Sequence, residues 1–419
     1  MNNVNKYYSW VLFLVVCSPV IAGGLKQPVY ILPANYRFCK YQSQTDLPTL
    51  EELTKSSLKD WNADFRSCDL SQMDLSMYPS NLADYVDFDS KTKWPAKDKM
   101  PAGFNPKKYL KVGRNPGLHV RDLHKRGIDG RGVAVAIIDQ PLLYTQQEYK
   151  KQMKLYHDND VHQGGFCLEY SSGLCGKLQE AHMSSMHGPA VASIAVGKTV
   201  GVAPKADLYY FSAQFSSDEQ GHFDARPITA VLQQIMNLNN RLPEGKRILI
   251  VSISRGFSSQ DVGAEEFQET VQEMNRRGIG VFTTDDMFTV SRKSAYADAD
   301  ENAVYTRAAP WWQEAELPNY AKMEDILFPS DYRVTAAPNG DKDYVAYSSG
   351  GLSWAVPYAA GLYALSLQVF PDLTPEFFWQ VARETAAPAQ VQGQSGKMYP
   401  ARYLVQPVKL IEKLESLKK

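Results

Sequence analysis

An excess of charge of either sign is missing from this sequence: 45 Lys and Arg stand against 46 Asp and Glu in 419 residues. Without a basic surplus there is no electrostatic footprint for a phosphate backbone, and no like-charge run forms a tail. Nucleic acid is therefore not an expected partner, and the Tyr and Trp residues are read as packing. Long apolar runs are missing too. The one concentrated stretch, Trp10-Val11-Leu12-Phe13-Leu14-Val15-Val16, is too short to span a bilayer. Lys6 precedes it and Val20-Ile21-Ala22 follows, ahead of Gly23, which is the form of a secretory signal over residues 1–22. The mature chain is then expected to be secreted or periplasmic, with no transmembrane span. Cys17 after Leu14-Val15-Val16 loosely fits a lipoprotein signal, but Val16 occupies a small-residue position, so lipid anchoring ranks second.

Cysteine is scarce, with five residues in the chain. Loss of the leader removes Cys17 and leaves Cys39, Cys68, Cys167 and Cys175. No tight C-x-x-C pair exists among them, so a zinc site is not expected. An even number in an exported chain points to disulfides, with three pairings allowed. Proximity favours Cys39 with Cys68 and Cys167 with Cys175.

What is present begins quietly. Residues 23–105 mix polar and aromatic residues with little period, with one helix expected between Leu47 and Trp61. This stretch reads as a pro-region, an arm laid over the next domain, or a structural extension. From Leu110 the pattern changes. Gly132-Val133-Ala134-Val135-Ala136-Ile137-Ile138-Asp139 is a β-rich apolar run that fits a strand buried on both faces. Residues 140–186 form a polar insertion. His187-Gly188-Pro189 then opens a small, apolar helix, with the proline in the first turn where its missing N–H costs nothing. Strands follow at Asp207–Phe211, Arg247–Ser254 and Ile279–Thr284, separated by helical spacing at Ile228–Met236 and Phe267–Met274. The alternation predicts an α/β fold: a doubly wound, mostly parallel sheet with helices on both faces. The domains expected are residues 106–392 and a C-terminal tail, 393–419, with a terminal helix near Val408–Leu417.

The strongest local signal is Gly350-Gly351-Leu352-Ser353-Trp354-Ala355-Val356-Pro357. A serine there opens a helix, beside free backbone N–H groups and partial positive charge. That placement suits a nucleophile whose product is an oxyanion, although a plain N-cap has the same form. Together with Asp139 ending its strand and His187 opening its helix, the chain order is Asp, His, Ser, the order of subtilisin.

With their flanks, these residues resemble the subtilisin-like (S8) serine peptidases over roughly residues 106–390. Val133–Asp139 is similar to the Asp motif, His187–Gly197 to the His-Gly motif, and Gly201–Ala206 to the segment after it. Ser252-Ile253-Ser254-Arg255-Gly256 resembles the substrate-binding strand, and Gly351–Pro357 the serine motif. The resemblance implies a serine endopeptidase acting on protein or peptide substrates, with Ser353 as nucleophile, His187 as general base and Asp139 as its orienting carboxylate. This chemistry requires no cofactor or metal. The resemblance leaves structural calcium open, but no calcium loop can be matched here. Oligomeric state is not legible.

Four departures stand out. Pro189 and Leu352 replace the family's usual threonines at positions that supply no reacting atom. The resemblance implies an oxyanion-hole Asn after the strand that follows Gly278, yet the chain reads Thr283-Thr284-Asp285-Asp286-Met287. Asp286 or Met287 falls at that position. Arg255 stands where the family has an apolar wall of the primary specificity pocket, and Asp285 should face it. The two are expected to pair with each other, or else to read a charged substrate side chain. The missing Asn also favours a second function, a weakly active or inactive binding protein on a peptidase scaffold; a third is an ester or amide hydrolase.

Overall fold

The computed structural model describes residues 39–56, 63–158, 186–213, 215, 222–308, 325–393 and 395–418. The leader expected over residues 1–22 and the expected Cys167–Cys175 pair lie outside them.

In chain order, β1 (Ala63–Asp64) and β2 (Val86–Asp89) come first. Then β3 (Ala134–Asp139), β4 (Met153–Asp158), β5 (Asp207–Ser212), β6 (Ile248–Ile253) and β7 (Gly280–Phe282) form one sheet in the order β4-β5-β3-β6-β7. Every neighbouring pair in it is parallel. Alternation along β3 explains the two layers around it. Val135 and Ile137 enter one core with the helices His187–Val196 and Leu352–Val369. Ala134, Ala136 and Ile138 enter the other, with the helices Arg226–Asn239 and Ala264–Arg276. Side chains that alternate into two cores make a strand with no polar face, which is why Val133–Ile138 is apolar throughout. The parallel sheet with helices on both faces is as the sequence predicts.

The polar insertion over 140–186 contains more than loop: β4 is its first part, paired with β5 at the sheet edge. Further on, β8 (Phe288–Arg292), β9 (Tyr305–Arg307) and β10 (Leu327–Pro329) close a ring with β13 (Ala387–Gln392) and β14 (Met398–Leu404). The ring takes up the segment expected as a tail. Val405, Leu410, Ile411 and Leu414 lie in the main core, the last three on the helix Pro407–Leu417.

The remaining strands, β11 (Arg333–Ala336) and β12 (Tyr344–Tyr347), join β1 and β2 in a sheet of order β1-β2-β12-β11. β12 runs antiparallel to both β11 and β2. Thus the segment before Pro106 supplies strands to the sheet that leads into Gly350. It also shares a core: Leu53, Phe65 and Phe88 pack with Ala295, Tyr332, Val334 and Ala346. Its helix runs Leu50–Ser56, and a disulfide joins Cys39 to Cys68.

Candidate active site

Asp139 ends β3, the central strand, at the carboxyl edge where open α/β sheets place their sites. Its side chain is almost fully buried, and Oδ1 accepts the Gln140 N–H at 2.8 Å and contacts His187 Nδ1 at 2.7 Å. His187 opens its helix, so its ring stands at the mouth of the site. Gly188 is what lets that helix come so near. A Cβ there would meet the Gln140 carbonyl and the Tyr210 hydroxyl, each at 2.5 Å. Only glycine fits this approach without displacing backbone.

Ser353 lies in the first turn of the helix Leu352–Val369, which packs on the histidine helix. The turn before it is fixed at two points. Gly351 has φ 62° and ψ −164°, a region that essentially only glycine adopts. Asp331, buried, accepts the N–H groups of Gly350 at 2.8 Å and Gly351 at 3.3 Å, and the Ser291 hydroxyl donates to its other oxygen. Behind Ser353, Pro357 has no N–H to give to the carbonyl four residues earlier. That carbonyl belongs to Ser353, and Ser254 Oγ donates to it at 3.0 Å.

The imidazole of His187 lies 5.5 Å, centroid to centroid, from the indole of Trp354, the residue after Ser353. The three expected residues therefore come to adjoining positions: one carboxylate–imidazole contact is made, and the serine sits on the neighbouring helix start. A His187–Ser353 hydrogen bond is not among those the described residues form. In unliganded sites such contacts are often loose and tighten around substrate.

The oxyanion side is poor in side-chain donors. The turn Thr284–Asp286, where the oxyanion-hole residue is expected, packs against the serine helix. Met287 is buried in the main core, and a thioether has no proton to donate. Asp286 Oδ2 accepts the Thr283 N–H at 2.6 Å and the Thr283 hydroxyl at 3.0 Å. Its carboxyl is crowded by protein although the residue keeps an exposed surface, and this desolvation raises its pKa against the pull of the two Thr283 bonds. The donors left are the unpaired N–H groups that open the serine helix.

Of the expectations about the substrate residues, one needs correction, the Arg255–Asp285 pair. The Ser252 side chain is fully buried within β6. The Ser254 hydroxyl is spent on the Ser353 carbonyl, so it holds the serine helix in place. Arg255 and Asp285 form no ion pair: the Arg255 guanidinium lies 3.7 Å from the centroid of the Phe223 ring, while Asp285 Oδ2 accepts the Phe257 N–H at 2.8 Å. Stacking on an aromatic face holds a guanidinium at less desolvation cost than a buried pair, and here it leaves Arg255 Nε buried without a hydrogen-bond partner. Gly256 sits tight against Asp285, where a Cβ would meet Oδ1 at 2.5 Å. Sequence reasoning missed Asp331, which belongs to no motif. The Ser254–Ser353 link had a signal, the proline four residues after the serine.

Comparison with known proteins gives one consistent likeness. The subtilase family profile matches residues 130–290. Subtilisin-like protease 2 of Trichophyton verrucosum is 25% identical over 189 residues, covering 44% of this chain and 42% of that protein. Its counterpart from Arthroderma otae is 26% identical over the same length. The chain thus matches about two fifths of the length of these curated relatives. Among solved structures, the prenylagaramide maturation protease PagA gives a TM-score of 0.45 at 15% identity, covering 70% of this chain and 98% of that one. A cold adapted subtilisin-like serine proteinase gives 0.43 at 15% identity, covering 66% and 90%.

Proposed function

We propose that this chain, which belongs to the subtilase (S8) family through its residues 130–290, is an exported serine endopeptidase. One observation carries the reading: His187 is bonded to the buried Asp139 at the edge of the central strand, beside a helix that opens on Ser353. Ser353 Oγ attacks the peptide carbonyl, and His187 Nε2 takes its proton. Asp139 accepts from Nδ1–H, which fixes the tautomer and stabilises the imidazolium. The oxyanion forms next to the N–H groups at the start of the serine helix. The imidazolium then protonates the leaving amine, and water releases the acyl group from Ser353 by the reverse path. The leader-like start and the Cys39–Cys68 disulfide support export as part of the same proposal.

Labelling of the purified protein with a fluorophosphonate tests nucleophile activation. The parent is expected to label and Ser353→Ala to lose the label completely. Equal labelling of both, or of neither, removes the enzymatic reading. One observation favours a second reading, a binding protein on a peptidase scaffold: neither residue expected at the family's Asn position offers a side-chain donor, since Met287 is a buried thioether and Asp286 Oδ2 serves as an acceptor. A protein that binds peptides tightly yet neither labels nor cleaves would be of that kind.

A further inference from the structure

Arg333 begins β11 and is 3% exposed, and its Nε, Nη1 and Nη2 all lack a hydrogen-bond partner among the described residues. A guanidinium carries five N–H donors and accepts nothing. Its Cζ lies 5.6 Å from the centroid of the Tyr358 ring. The strongest charge interactions of Arg333 are with Tyr358, Tyr305, Arg292 and Tyr109; none is a carboxylate, and Arg292 repels it. Arg292 is itself buried but satisfied, donating to the carbonyls of Ala297 and Tyr332. Burial brings Arg333 down to about 10, so it keeps its charge at neutral pH.

The groups around it share one character. The Tyr358 and Tyr109 hydroxyls are buried without partners, as is that of Thr335, two residues along the same face of the strand. Tyr305 is already engaged, donating to the Ala299 carbonyl at 2.8 Å. The cluster is thus one buried guanidinium whose donors are unused, with buried hydroxyls near it and, among the described residues, no carboxylate bonded to it. A buried charge needs a counter-charge, and these donors call for an acceptor of negative sign.

We infer that Arg333, with the Tyr358 hydroxyl, forms an internal site for a small monovalent anion, chloride being the natural occupant. Only Arg333 has unused donors, since those of Arg292 go to carbonyls, and a fully buried site of that size favours a small monovalent ion over the more strongly hydrated phosphate or sulfate. The site underlies the serine helix, because Tyr358 follows Ser353 by little more than one turn. Occupancy therefore stabilises that helix whatever the chain's activity.

Thermal unfolding of the full chain in sodium chloride and in sodium gluconate, at equal pH and ionic strength, tests the site. Chloride is expected to raise Tm saturably by roughly 2 °C or more, with bromide acting likewise. Arg333→Met is expected to lose the response, and Tyr358→Phe, which keeps the ring and removes the hydroxyl, to weaken it several-fold. Identical Tm in the two salts overturns the site, and so does a response retained in both variants. Should Arg333→Met fail to fold, Tyr358→Phe decides alone, an unchanged chloride response overturning the proposal. The readout is Tm, so its failure leaves serine labelling untouched, and the reverse.

Discussion

Asp286 is one of the two residues expected at the oxyanion position, and the proposed reaction makes a test of it. An ionised carboxylate beside a developing oxyanion repels it, whereas a protonated one can donate to it. The two Thr283 bonds treat Oδ2 as an acceptor and favour the charged form, while crowding by protein raises the pKa. A raised pKa keeps the neutral acid to higher pH than an ordinary aspartic acid would, so the parent rate is expected to fall as pH rises through that value. Asp286→Asn supplies an N–H donor at every pH, and loss of one such donor slows subtilisin by about 10²–10³. The variant is therefore expected to be faster than the parent at pH 8, with the fall removed. Steady-state kinetics of both from pH 5 to 9 check this. A parent rate that climbs with pH, together with a variant no faster, would show that Asp286 lies off the oxyanion path. At this scale the sequence was legible for where the proposed triad residues lie, because Asp139, His187 and Ser353 each stand at the end or the start of a strongly patterned element. It was not legible for their supports. Asp331 is one acid among many until the fold brings it to the Gly350 and Gly351 amides, and Arg255 could not be known to prefer the Phe223 ring over Asp285.

Among the elements, the serine helix shows how a local defect is turned to use. Pro357 interrupts the hydrogen-bond ladder one turn after Ser353, and the carbonyl it frees is the anchor for Ser254. The loop after β6 is thereby tied to the turn that holds Ser353. Ser254→Ala leaves that carbonyl without its partner and is expected to destabilise the protein by about 1 kcal/mol. In a Pro357→Ala background the restored N–H can take over the carbonyl, so the same change should cost measurably less. Urea denaturation of the four proteins of this cycle gives the coupling directly, and strictly additive effects would show that Pro357 and Ser254 do not share the Ser353 carbonyl. Long, apolar elements such as β3, β6 and the two site helices were readable from period alone. The short ones were not. β8, β9 and β10 have five, three and three residues, and pairing around a ring rather than composition defines them. β4 was hidden because Met153-Lys154-Leu155-Tyr156-His157-Asp158 loses its alternation at a register shift, at a sheet edge inside an otherwise polar stretch.

For the molecule as a whole, the segment before Pro106 is bound in, and Asp87 is its most informative joint. On β2, Asp87 Oδ1 accepts the Ser348 N–H at 2.8 Å and the Ser348 hydroxyl at 2.7 Å, two residues ahead of Gly350. Val345 and Ala346 of β12 pair with Asp89 and Phe88, so the strand leading into the serine turn has the extension as its neighbour. Burial pushes the Asp87 carboxyl from 3.8 to about 6, against the pull of the Arg66 guanidinium and the Ser348 bonds, with Asp64 adding to the rise. Because the folded value lies above the unfolded one, Asp87 contributes stability that is fully present below about 3.8 and is lost as pH rises through about 6. The loss is on the order of 1–3 kcal/mol, because a tenfold change in proton affinity is worth about 1.4 kcal/mol and the residue keeps some exposure. Asp87→Asn holds the neutral form at every pH. Its stability relative to the parent should therefore improve by that amount between pH 4 and pH 7, measured by denaturant unfolding of both proteins at each pH. Parallel pH profiles would mean that the carboxyl is solvated and that the joint carries no strain. The same contacts bear on whether residues 39–105 can be removed after folding. Their excision takes away the β2 partner of β12, the acceptor for Ser348 and the aromatic half of a shared core. A chain lacking them is expected to lose cooperative unfolding and the reactivity of Ser353 together.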